Sequence, residues 1–349
     1  MKPESSHDTK LHRYRKTTVL LFLLSAIIIN LLPANIPAGE KIQKTHILDK
    51  TADEILKRAE ILQTFEALED KEINEICNFT TSYGETEFIK TEYYNTPFHD
   101  DVAMTLRNMA SLYMICHPPM AEKYLSAVIG IQEKLYGKES EQTAEAYDEL
   151  GDYYRIHTMQ FEDAISSYNA AKAIRIKVYG SDDPRITKNC FRLAVTLFYH
   201  DGRKSSTDKL ILDSVRIRKN FKGKTQVKLS KTFLDAGIYY SLVDDYSTAI
   251  DYFNKALKSE EEKTVEEESE ILLELGNIYL NKNDESTALK YYETSHQKIK
   301  EGSPQDNHNL FKLVVDQMIS LSEDAGNKDK ANRLKIELET VKRKITENL

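Results

Sequence analysis

The sequence predicts an all-α protein made of stacked helical hairpins, an α-solenoid, with a hydrophobic helix ahead of it. Three observations predict it. The 349 residues include only 12 Gly and 8 Pro, too few for the turns of a β-sandwich or a doubly wound sheet. Small residues recur with a period of about 40, at Ala110, Gly151, Ala194, Gly237 and Gly276. Apolar residues accompany them at spacings of three and four, which gather side chains on one helix face. A hydrophobic fraction of 40%, with 20 Tyr and 12 Phe, is enough to build a core and excludes disorder for the bulk of the chain.

The elements follow in chain order. Residues 17–39 carry no charge, sit behind Lys10, Arg13, Arg15 and Lys16, and are almost wholly aliphatic over 19–32. Residues 1–38 are therefore expected to form a signal peptide or an uncleaved signal-anchor helix, the alternative being a buried helix of a soluble domain, which would usually show a polar stripe that this run lacks. Ile36 and Leu32 are large where a cleavage site wants a small residue, and the uncharged stretch would reach roughly 34 Å as a helix, so the anchor is preferred. In both cases the basic flank stays in the cytoplasm and the body is extracytoplasmic, anchored by a single pass or secreted after cleavage. The leader holds five basic and two acidic residues, which leaves 43 basic and 54 acidic, a net charge of −11, for the other 311.

Residues 39–99 read as a linker and N-terminal capping helices, with Ile55, Leu56, Ala59, Leu62, Phe65 and Leu68 along one side. Residues 100–300 hold five repeats. Three places after each small residue stands a large one, Tyr113, Tyr154, Leu197, Tyr240 or Tyr279. A second small residue follows eleven to thirteen places after the first, at Ala121, Ala164, Ser206, Ala249 and Ala288, and four later comes Leu125, Tyr168, Leu210, Phe253 or Tyr292. Each unit thus describes two helices brought close by small residues and filled by large ones. Asp201-Gly202 and residues 281–284 mark turns inside units. Tyr136-Gly137, Tyr179-Gly180, Lys222-Gly223 and Gly302 mark turns between them. One hairpin cannot bury its face alone, so the units stack. Residues 301–349, with Leu313, Val314, Met318, Leu321, Ala331, Leu334 and Leu338, read as a degenerate C-terminal repeat and capping helices.

This pattern resembles the tetratricopeptide repeat, most clearly at Leu275, Gly276, Tyr279, Ala288 and Tyr292 and at Ala236, Gly237, Tyr240, Ala249, Phe253 and Ala256. The stretches 105–113, 131–137 and 174–180 are similar to the longer repeats of the kinesin light chain type. The resemblance covers about residues 100–300 and implies a right-handed solenoid that grips a protein or peptide on its concave face. It departs from kinesin light chains in lacking a heptad coiled coil ahead of the repeats, so a motor-cargo role is not implied. By the same resemblance the candidate groove comprises Arg107, Asn108, Ser111, Asp148, Asp152, Lys188, Arg192, Lys231, Asp235 and Asn277, with Glu145, Val195, Ile238, Glu270 and Glu274 also facing inward. Lys188 and Arg192 lie four apart and can jointly hold a carboxylate, the alternative being an ordinary solvated helix face. Asp148 and Asp152 beside them imply a ligand carrying both signs. A complete carboxylate clamp is not formed, because Ser111 stands where a second Asn is wanted.

The formal charge of −8 disfavours nucleic acid as a partner. Cys77, Cys116 and Cys190 are odd in number and widely spaced, and read as three buried free thiols without metal spacing, so no cofactor or metal is expected. The doublet His99-Asp100 resembles that of metal phosphohydrolases but lacks companion ligands, and Asp100 or Asp101 reads instead as a helix cap. No P-loop, GxGxxG, GxSxG or HExxH occurs. The run 260–270, with seven Glu, reads as a solvated helix end. The function expected is a non-catalytic scaffold for a protein or peptide partner, tethered through residues 17–39 if they are uncleaved. A peptide-sensing regulator and a metal hydrolase centred on His99 are the alternatives.

Overall fold

A computed structural model describes residues 38–65, 70–84, 87, 90–91 and 94–346. The leader expected at 1–38 lies outside the described residues except for its last position. Every regular element among the described residues is helical, and no helix among them is long and apolar enough to cross a membrane. The chain divides into two compact units, Met1–Lys138 and Glu139–Leu349.

In the first unit, α1 (Ala38–Phe65) and α2 (Asp70–Tyr83) pack on α3 (Asp100–Cys116), which pairs with α4 (Pro118–Tyr136) as the first hairpin. A buried polar knot joins three of these segments. The fully buried Lys90 ammonium donates to Asp49 Oδ2 at 2.5 Å and Thr105 Oγ1 at 2.9 Å, and the Tyr83 hydroxyl donates to Asp49 Oδ1 at 2.6 Å. A buried ammonium is tolerated only with such partners. Burial first, and the Asp49 charge second, hold the Tyr83 phenol well above its ordinary pKa.

Two expectations are corrected in this unit. Cys77 and Cys116 are joined in a disulfide, with Cα atoms 5.5 Å apart, so only Cys190 is a buried free thiol. Spacing hid the pair because residues 39 apart in sequence meet only once α2 and α3 pack. The cap of α3 is His99, not an aspartate: its Nδ1 accepts the Asp101 backbone N–H at 3.2 Å while its ring stacks on Tyr94. Asp100 and Asp101 instead accept the hydroxyls of Tyr136 and Tyr94.

The second unit pairs α5 (Glu141–Tyr153) with α6 (Phe161–Tyr179), α7 (Thr187–Asp201) with α8 (Ser205–Asn220), and α9 (Leu229–Leu242) with α10 (Tyr246–Lys258). Then α11 (Val265–Asn281) pairs with α12 (Glu285–Glu301), and α13 (His308–Asp324) with α14 (Lys328–Thr346). Side-chain caps start α5, α10, α11 and α12: Ser140 accepts the Thr143 N–H, Asp245 that of Thr248, Asp284 that of Thr287, and Thr264 with Glu267 forms a capping box.

The repeated glycines are needed for close approach. A Cβ on Gly151 would lie 2.6 Å from Tyr168 Cε1, and one on Gly237 2.5 Å from Phe253 Cδ1, with Gly276 placed likewise against Tyr292. All three rings are fully buried. One position earlier, Tyr252 and Tyr291 stack on Tyr240 and Tyr279 with centroids 5.5 Å apart, so two of the expected large residues each meet a ring that the repeat pattern did not include.

The turns inside the hairpins also repeat. Asp244 and Asn283 adopt positive φ, and the next residue's N–H donates back to Tyr240 O at 2.9 Å and Tyr279 O at 2.8 Å. In the α5–α6 hairpin the second small residue comes thirteen places after Gly151, against twelve in the α9–α10 and α11–α12 hairpins. The additional residue is absorbed in a π-helical turn, Tyr154–Thr158, after which Met159 takes the positive φ and Gln160 donates to Tyr154 O at 2.9 Å.

The acidic run is not simply solvated. Glu261 accepts from Arg218 at 2.7 Å and from the Ser230 N–H at 2.8 Å, Glu267 pairs with Lys228, and Glu268 with Lys298. These contacts clasp neighbouring helices, which charge counting along the sequence does not reveal.

Candidate functional site

The first helices of successive hairpins, α5, α7 and α9, line a cavity of about 560 Å³ in the second unit. Helical spacing accounts for its composition. Asp152, Arg155 and Ile156 come from the end of α5 and the π turn; Lys188, Phe191 and Arg192 from one face of α7; Lys231 and Asp235 from one face of α9. Val227 and Lys228 enter from the segment before α9, and Glu267 from the first turn of α11.

Of the residues anticipated for a groove, Asp152, Lys188, Arg192, Lys231 and Asp235 converge on this cavity. Asp148 does not reach it. Its buried carboxylate accepts from Arg175 Nη1 at 2.7 Å, Asn189 Nδ2 at 2.6 Å and Arg192 Nη1 at 3.0 Å. Arg175, itself buried, also donates to Glu141 and Asn189, so α5, α6 and α7 are bound through one polar network. Burial lowers the Arg175 pKa, but the paired carboxylates Glu141 and Asp148 outweigh it and hold the guanidinium above its ordinary value. Asn277 accepts the Tyr292 hydroxyl at 2.9 Å. Arg107, Asn108 and Ser111 lie on α3 in the first unit, where Asn108 donates to Asp53 at 3.2 Å and to the Tyr83 hydroxyl at 3.4 Å.

Ion pairs organise the cavity wall. Arg192 spends its fork on the chain's own Asp148 and Asp152, leaving Lys188 as the member of the anticipated pair that enters no ion pair among the described residues. Asp152 also accepts the Tyr168 hydroxyl at 2.6 Å, and Arg155 lies 3.6 Å away. Lys228 holds Glu267 at 2.8 Å, and Lys231 stands 3.6 Å from both Asp235 and Glu270. Burial pushes the Asp235 carboxyl up to about 6, with Lys231 opposing and Glu270 adding to the rise. Burial acts the same way on Glu267, but hydrogen bonds from Lys228 and the Thr264 N–H overcome it and leave that carboxyl below its usual range.

Sequence reasoning missed Arg155, Ile156, Phe191, Lys228 and Glu267. Arg155 and Ile156 turn inward only through the π turn, and Lys228 and Glu267 precede or open their helices, where a face count along a helix does not reach. Phe191, three residues after Lys188, had the signal of helical spacing. Among the described residues no group of three His, Cys, Asp or Glu side chains is placed to hold a metal.

Residues 101–177 match the family model of the tetratricopeptide repeat, as expected from the pattern of small and aromatic residues. Among solved structures the chain is similar to the apo form of RapI, at 12% identity over 97% of this chain and 95% of that one, with a TM-score of 0.47. It is also similar to the apo form of the quorum sensor NprR from B. thuringiensis, at 16% identity over 97% and 90%, with a TM-score of 0.45. Tetratricopeptide-like repeats of kinesin light chain type from Podosopora anserina match at 16% identity over 59% and 99%, with a TM-score of 0.44. No curated protein matches the sequence.

Proposed function

We propose that this chain, tetratricopeptide repeat over residues 101–177, holds a segment of a partner protein or peptide in the cavity of its second unit and acts through that grip, without catalysis of its own. The cavity carries the reading. Three successive hairpins contribute their first helices to it, and apolar Ile156, Phe191 and Val227 lie among paired charges, a combination that buries a side chain while fixing its orientation. The one doublet that suggested hydrolysis is spent on helix capping and hydroxyl bonds.

The body is placed outside the cytoplasm in this reading, tethered by or released from residues 17–39. The uncharged span behind a basic flank supports that location. So does the Cys77–Cys116 disulfide, a bond that persists in oxidising compartments.

A photoreactive amino acid at Phe191, in the full chain expressed in its own cells, tests the grip. Adducts are expected from that position and not from Leu212, which is 51% exposed on α8 outside the cavity. Equal capture from both positions, or none from Phe191, would remove the cavity as the binding site.

A further inference from the structure

The charge of the cavity runs opposite to that of the chain. The whole sequence carries −8, yet five cationic side chains line the cavity against three carboxylates. Those carboxylates are already engaged: Asp152 with Arg192 and Tyr168, Glu267 with Lys228, and Asp235 with Lys231. Lys188 is exposed and enters no ion pair among the described residues. Asp235 feels its charge only at longer range, so it is the cation held by no ion pair and open to an incoming group, whereas an incoming cation would meet carboxylates that already have partners.

Next to Lys188 on the same face of α7 stands half-buried Phe191. Side chains three apart on a helix sit about 5–6 Å from each other at Cβ. In an extended peptide, side chains on one side repeat every second residue, roughly 6.6 Å apart. The spacings agree closely enough for one extended segment to place a charged residue on Lys188 and an apolar residue two places away on Phe191. Resting on the grip proposed above, we propose that the segment held here is acidic, with an aspartate or glutamate side chain on Lys188 and an apolar side chain two residues away against Phe191.

The test uses the full chain and two labelled nine-residue peptides with both ends capped, so that no terminal carboxylate contributes. One has aspartate and leucine two apart among serines; the other replaces the aspartate with lysine. The aspartate peptide is expected to bind at least about tenfold more tightly. Lys188→Glu should abolish that preference, while Lys209→Glu, the same charge change on α8 outside the cavity, should leave it intact. Asp235→Asn should strengthen binding of the aspartate peptide several-fold by removing the carboxylate that Lys188 also feels. Equal affinity for the two peptides, no binding of the aspartate peptide, or an unchanged preference in Lys188→Glu would overturn the proposal. If adducts at Phe191 persist in that case, the grip stands and only its acidic preference falls; if they too are missing, the grip falls with it.

Discussion

At the scale of single residues, the second unit contains side chains whose cost of placement can be measured. Asp235 has its carboxyl raised from 3.8 to about 6, chiefly by burial. A group with a raised carboxyl pKa binds its proton more readily folded than unfolded, so its contribution makes stability rise as pH falls from about 7 towards 4. Asp235→Asn removes that cost. It should stabilise the second unit by about 1–2 kcal/mol at pH 8 and leave it unchanged near pH 4, as read from urea unfolding at the two pH values. A glycine pair gives a second test. At Gly130, inside α4, an added Cβ would meet nothing within 4 Å, whereas at Gly237 it would meet the buried Phe253 ring. Gly130→Ala should raise stability by about 0.5–1 kcal/mol through helix propensity alone. Gly237→Ala gains the same propensity but must displace the ring, and should lower stability by about 1–3 kcal/mol. Circular dichroism melts of the two variants decide between propensity and packing as the reason for the repeated glycines.

At the scale of elements, the hairpins were legible wherever a small residue faced a ring. Gly151 with Tyr168, Gly237 with Phe253 and Gly276 with Tyr292 all meet as the period implied. What the sequence concealed depends on contacts between helices or on irregular backbone. The disulfide needed the packing of α2 on α3, the role of Asp148 needed Arg175 and Asn189 from two other helices, and the inward turn of Ile156 needed a π turn. That turn was present in the sequence only as one added residue between Gly151 and Ala164. Its geometry leaves Met159 at positive φ and 72% exposed, and Gln160 at the start of α6 without a side-chain cap bond. The corresponding residues of the α9–α10 and α11–α12 hairpins, Asp245 and Asp284, do form one. Gln160→Asp should therefore stabilise the unit by about 0.5–1 kcal/mol. A denaturant midpoint that does not move would mean that the π turn holds this backbone too far from the regular turn for an aspartate to reach.

At the scale of the whole molecule, the disulfide links architecture to compartment. Cys77 and Cys116 close a loop of 39 residues in the first unit, and Cys190 is a buried thiol in the second. Loop closure of that length stabilises a fold by about 2–4 kcal/mol. The double variant Cys77→Ser with Cys116→Ser should lose that amount from the first unit, seen as proteolysis of α1 and α2 at lower denaturant, while cleavage within the second unit is unchanged. The bond also makes the location measurable without any partner. Denatured in alkylating reagent directly from its own cells, the chain should take one label, on Cys190, and three after reduction. Three labels without reduction would show both loop cysteines as thiols in the cell, which would withdraw the oxidising compartment as support for export and leave that reading on residues 17–39 alone. One label before reduction, together with protection of the body from a cytoplasmic protease, would place the acidic body and its basic-lined cavity outside the cytoplasm.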